Sequence, residues 1–200
     1  MMLPPNGHRA HGISSALFLN SDEIIQELKL KCDETFMDAG CGDGHNVIKV
    51  LEDYNHKGTV YAVDVYDASI EDMESYKKEN NVENLINIEA DITKGIPGVD
   101  DESVDVVLMV NVFHGFKASR TMDKAIDEFA RIIKADGKIA IMDYKSWEVP
   151  KGPPTAFRSS PSELEEVFAA HNLRMTYLNE EIGEDIPEGK SHYFIVFQKE

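Results

Sequence analysis

The chain has 200 residues, 42% hydrophobic and 28% charged, enough for one domain with a sizeable core. Its 37 acidic against 20 basic residues give a formal charge of -17, which repels polyphosphates and argues against nucleic acid as a partner. No run approaches the roughly 18 apolar residues of a membrane span, and residues 1–7 lack the basic and apolar regions of a secretory signal. Cys32 and Cys41 flank a predicted strand that a bridge between them would distort, so a reducing, cytoplasmic location is expected.

After a loop-like start rich in Pro and Gly, Ser21 is placed to cap a short helix carrying Ile24, Ile25 and Leu28 on one face. Residues 35–37 read as a short buried strand, which runs into the glycine-rich segment 38–44. Val47, Ile48 and Leu51 then recur at helical spacing. Strands are predicted at 59–63 and 85–90, with a helix over 70–79 between them. Residues 104–110 (VDVVLMV) are apolar almost throughout, as a central parallel strand covered on both faces should be. A helix over 120–134 follows, ended by Ala135-Asp136-Gly137, and then a fifth strand over 138–143. This alternation predicts an α/β fold with a parallel sheet and helices on both faces.

The last fifty residues depart from it. Residues 147–159 form a Pro- and Gly-rich loop. Ser160-Pro161-Ser162-Glu163 is a capping box with proline at the first helical position, and Leu164, Val167 and Phe168 form the stripe behind it. Two strand-like stretches, 174–178 and 192–198, are joined by an acidic connector with no helix, which predicts antiparallel pairing at the C-terminus.

The chemistry concentrates at the ends of the strands. Gly40-x-Gly42-x-Gly44 lies between a strand and a helix, where glycines let backbone approach a ligand and the helix start offers free N–H groups. Asp64, 20 residues beyond Gly44, ends the second strand and can accept from both hydroxyls of a ribose. Asp91 ends the third and is placed to accept from an adenine amine. Each alone reads as a turn or a solvated strand end; together, in order along one sheet edge, they read as a nucleoside site.

These segments resemble the motifs of class I S-adenosylmethionine (SAM)-dependent methyltransferases. The match lies in FMDAGCGDGHN (36–46), VYAVDV (60–65), IEADI (88–92), VDVVLMVNVFH (104–114) and KIAIMDY (138–144). It runs from about residue 20 to the C-terminus, and small proteins of ubiquinone and menaquinone biosynthesis are the nearest in character. The resemblance implies a Rossmann-like sheet of five parallel strands plus a C-terminal antiparallel pair. It also implies a single domain over 1–200, with 1–20 as a lid-like segment and 145–160 as a loop over the acceptor side. It places Asp38, Gly40, Cys41 and Gly42 at the methionine part of SAM. Asp64 falls at the ribose, Val65 against the adenine, Asp91 and the Ile92 backbone at the adenine edge, and the Asn111 carbonyl near the methionine amine.

The expected activity is methyl transfer to a small-molecule acceptor, with no membrane partner. His114, after the fourth strand, is the candidate general base because its titration range suits proton transfer near neutrality; the alternative is that it only shapes the pocket. Asn111-Val112-Phe113-His114 departs from the Asn-Pro-Pro-aromatic signature of amino-directed nucleic-acid methyltransferases, which again speaks against nucleic acid. His8-x-x-His11 lacks a third ligand at metal spacing, so no metal is expected. The rivals are a SAM-binding protein without turnover and a nicotinamide-dependent oxidoreductase. The G-x-G-x-G spacing and the helix-free ending count against the second.

Overall fold

The structure, a computed structural model, describes residues 15–54, 56–147 and 152–200. Seven strands form one sheet: β1 (Phe36–Ala39), β2 (Val60–Asp64), β3 (Leu85–Glu89), β4 (Val104–Val110), β5 (Ile133–Tyr144), β6 (Leu173–Ile186) and β7 (Gly189–Lys199), in the spatial order β3-β2-β1-β4-β5-β7-β6. The first five pair in parallel, and β7 lies antiparallel between β5 and β6. Because β7 opposes both neighbours, β6 runs in the common direction and β7 alone runs against it. The chain moves outward from β1 to β3 and returns to β4, so a crevice opens at the carboxyl ends of β1 and β4.

Helices cover both faces: α1 (Ser21–Leu28), α2 (His45–Glu52), α3 (Asp67–Glu79), α4 (Phe113–Ser119), α5 (Met122–Ile132) and α6 (Pro161–Ala169). One apolar core packs Phe113, Ile126, Phe129, Leu164 and Phe168 against Met37, Met109, Ile141 and Phe197. The other packs Ile24, Ile25, Leu28, Val47 and Val50 against Phe36, Val106, Leu108 and Phe194. The alternating side chains of the central strands thus feed two cores, which explains their near-continuous hydrophobicity.

Several expected elements differ. Asn20, not Ser21, caps α1: its extended backbone lets Oδ1 accept from the Asp22 N–H at 3.0 Å. The helix expected over 120–134 is α5, shorter at both ends, and an unexpected short helix, α4, precedes it, closed by Arg120 in a left-handed conformation (φ 58°). β5 begins at Ile133, so Ala135-Asp136-Gly137 is not a helix end but part of a bulge, where the β4 register jumps from Val104↔Ile133 to Val106↔Lys138. The acidic connector is mostly strand, as β6 and β7 form one long hairpin whose β6 half is bulged in three places. Ser160 caps α6 by accepting from the Glu163 N–H, but the Glu163 carboxylate turns to Lys117 Nζ, at 2.6 and 2.8 Å, instead of completing the box. Both cysteines are free.

Candidate active site

The glycine loop is a stretch of left-handed backbone. Gly40, Gly42 and Gly44 have φ of 85°, 55° and 75°, so each position penalises a side chain. Around them the three glycines differ. A Cβ on Gly40 would fall 2.5 Å from Val112 Cγ2, and one on Gly44 would fall 2.2 Å from the Met73 sulfur, whereas one on Gly42 would meet nothing within 4 Å. Gly40 and Gly44 are glycines because protein packs against them; Gly42 faces open space.

Asp64, at the end of β2, holds this loop. Its Oδ2 accepts from the Gly42 N–H at 2.9 Å and its Oδ1 from the Tyr66 N–H at 3.0 Å. A carboxylate has about four acceptor positions, so two hydroxyls can still be received there. Val65 beside it is 55% exposed, an unusual state for a valine next to a buried strand. Asp38 is buried under the loop and hydrogen-bonds with the Asn46 side chain, while its Oδ2 has no partner. Burial, with the Asp64 and Asp43 carboxylates nearby, pushes the Asp38 carboxyl up to about 8. Cys41 is buried in the same loop, and burial likewise pushes its thiol up, so it is an inert thiol.

Asp91 already has structural work. Its Oδ1 accepts from the Thr93 N–H and hydroxyl, capping the 3-10 turn Ile92–Lys94, and its Oδ2 pairs with Lys94 at 2.9 Å. The Ile92 side chain is buried in the core, so only its backbone can serve a ligand.

The other half of the crevice is built from side chains. Asn111 follows β4 at φ 58°, a conformation asparagine tolerates better than most residues, and its N–H donates to Met142 O. Its Oδ1 lies 3.1 Å from His192 Nε2, on β7. His114 lies in the first turn of α4, buried, with Nδ1 2.9 and 3.1 Å from the two carboxylate oxygens of Asp143 at the end of β5. The same carboxylate accepts the His114 and Tyr144 backbone N–H groups. Burial alone would raise the Asp143 carboxyl, but His114 and these N–H donors together hold it below the usual carboxylate range. His192 is fully buried, 4.1 Å from the Tyr144 ring, and burial pushes its imidazole down to about 4.

Asp143, His192 and Tyr144 are the residues that sequence reasoning missed. A signal for Asp143 was available, since it is the one acid near the end of the apolar run 139–143. His8 and His11 and most of the lid-like segment lie outside the described residues. Among the described residues no group of three His, Cys, Asp or Glu could hold a metal, and no helix is long and apolar enough to cross a membrane. Pockets of about 360 and 450 Å³, lined in part by Tyr76 with Asn84 and by Asp105 with Lys138, lie toward the opposite, amino ends of the strands.

The methyltransferase-domain family matches residues 30–194, which span the glycine loop, both crevice halves and most of the C-terminal hairpin. The chain belongs to that family. Relatives of this methyltransferase include the uncharacterized methyltransferase YcgJ of Bacillus subtilis, 26% identical over 162 residues, which cover 75% of this chain and 61% of that one. A yeast tRNA(Thr) (cytosine(32)-N(3))-methyltransferase is 27% identical over 58% of this chain and 19% of its own length. The chain thus spans less than two thirds of either relative. In fold, a SAM-dependent methyltransferase from Aquifex aeolicus superposes with a TM-score of 0.77 at 24% identity over 93% of each chain.

The methyltransferase is therefore of the class I, SAM-dependent type, with a seven-stranded sheet and S-adenosylmethionine as its cofactor. The residues present fit that cofactor, since the open backbone at Gly42, the exposed Val65 and the buried acids at Asp38 and Asp64 suit a cationic adenosine derivative. The exclusion of nucleic acid drawn above from net charge finds no support, because a relative is named for action on tRNA.

Proposed function

We propose that the chain, acting as a single domain, transfers the SAM methyl group to a small-molecule acceptor that must lose a proton. The observation that carries this reading is the buried His114–Asp143 pair at the carboxyl end of the sheet. When bound, SAM supplies an electrophilic methyl on a sulfonium; the protein supplies placement and charge. Gly42 and the start of α2 would receive the methionine end, Asp64 the ribose, Val65 the adenine face, and Asp91 with the Ile92 backbone its edge. Gly40 and Cys41 shape the loop, and Asn111 turns the chain so that its carbonyl can meet the methionine amine. Asp38 lies beneath, where a cation overhead would favour its ionised form.

On the other side, Asp143 fixes the His114 tautomer with the proton on Nδ1 and the lone pair on Nε2, the form a general base needs. The imidazolium formed when His114 takes the acceptor's proton is stabilised by the buried carboxylate beside it. The pairing favours turnover over a non-catalytic SAM-binding protein. The test is transfer of labelled methyl from SAM into cell extract separated into metabolites, RNA and protein. The label should enter the metabolite fraction, and entry into RNA alone would reject the small-molecule acceptor.

A further inference from the structure

Lys145 follows β5, and its N–H donates to Ser191 O at 3.0 Å, so the ladder with β7 continues one residue past Tyr144. Side chains alternate along an extended strand, which puts Lys145 on the same face as Asp143, the face that carries His114. The side chain is only 6% exposed. An ammonium that deep is ordinarily paired with a carboxylate, because desolvation is otherwise uncompensated. Among the described residues no carboxylate pairs with Lys145; its Nζ lies 4.4 Å from the centroid of the Trp147 ring. Asp143, the acid on the same strand face, is committed to His114.

The segment is also held in place. The Arg158 guanidinium, 5.3 Å from the Tyr144 ring, donates to the carbonyls of Pro153, Lys145 and Trp147. Across from it, Gly189 at the start of β7 lies against Trp147: a Cβ there would stand 3.7 Å from the indole, at ordinary contact distance. Arg158 is thus engaged by the backbone of this segment, and Lys145 is a buried cation backed by a flat aromatic wall.

We infer that Lys145 and Trp147 form the anion-recognition subsite for the methyl acceptor, and that this acceptor carries a carboxylate on a small planar skeleton. The inference rests on the reading that His114–Asp143 marks the acceptor side. A single ammonium beside one indole suits a flat monoanion, whereas a phosphate calls for several converging donors.

Trp147 is the only tryptophan in the chain, so its fluorescence reports this subsite alone. The experiment titrates benzoate, and separately benzamide, into the full chain saturated with S-adenosylhomocysteine. Benzoate should change Trp147 emission saturably, and benzamide at least tenfold more weakly. Lys145→Met should weaken the benzoate response tenfold or more, and Lys145→Arg should retain it. Both variants should keep S-adenosylhomocysteine affinity within twofold by calorimetry. A lysine that merely props the indole would leave benzoate and benzamide alike and lower the melting temperature of Lys145→Met; that result overturns the subsite. A benzoate response undiminished in Lys145→Met overturns it equally. Should Lys145→Met fail to fold, the benzoate–benzamide contrast in the unmodified chain decides. Absence of S-adenosylhomocysteine binding in the unmodified chain would strike the methyl-transfer reading and is recorded separately by the calorimetry.

Discussion

The two halves of the crevice are made of different materials. At β1 and β2 the site is mostly backbone: three left-handed glycines, the start of a helix and one carboxylate that ties the loop down through N–H groups. At β4, β5 and β7 it is side chains, with His114 on Asp143, His192 on Asn111, and Tyr144 against His192. Backbone geometry can hold one invariant ligand with little side-chain chemistry. A side-chain wall can be exchanged residue by residue for different acceptors. The account therefore assigns affinity for SAM to the first half and proton chemistry to the second.

The sharpest way to break that division is at Asp64. Asp64→Ala should weaken SAM and S-adenosylhomocysteine alike by about 2–4 kcal/mol, the scale of lost charge-assisted hydrogen bonds. Calorimetry with both ligands checks it, and an unchanged affinity in a folded variant removes Asp64 from the site. On the other side, Asp143→Asn should cost roughly a hundredfold in methyl transfer at saturating SAM, because the amide neither fixes the tautomer nor stabilises the imidazolium. A rate profile against pH distinguishes this from a packing role, which would lower the rate equally at every pH.

The halves should also respond to pH in opposite directions. The Asp38 carboxyl is raised from 3.8 to about 8, so the folded state binds the extra proton and this half loses stability as pH rises through that range. His192 is lowered from 6.5 to about 4, so the unfolded state binds the extra proton and stability is lost as pH falls from about 6.5 toward 4. Each slope is limited to about 1.4 kcal/mol per pH unit. Denaturant melts across pH should show Asp38→Asn flattening the alkaline side and His192→Gln the acidic side.

The contrast also explains what the sequence made readable. Asp38, the three glycines and Asp64 lie within 27 residues, in or just after β1 and at the end of β2, so local spacing exposed them. His114 and Asp143 stand 29 positions apart, joined because β5 pairs with β4, and Asn111 and His192 stand 81 apart, joined because β7 inserts beside β5. No local period encodes that insertion. The helix carrying His114 was missed because α4 is seven residues with Gly115 inside it, too short for a helical stripe to show. The far half of β6 was read as a connector because its run Asn179-Glu180-Glu181 and Glu184-Asp185 is acidic; an edge strand with bulges tolerates such residues.

A smaller effect sharpens the glycine side. Gly42→Ala meets no steric obstacle, so its stability cost should be limited to the left-handed strain of about 1–2 kcal/mol. SAM affinity should nonetheless fall tenfold or more, because the added methyl occupies the open face. Paired thermal melts and SAM titrations separate the two effects.

The division of labour is tested most directly by the equilibrium affinity of His114→Ala for SAM, measured by calorimetry on the folded variant. The account predicts a dissociation constant within twofold of the unmodified chain, since His114 belongs to the half that handles the acceptor. A tenfold or greater loss of SAM affinity would contradict it, placing His114 among the groups that hold the cofactor.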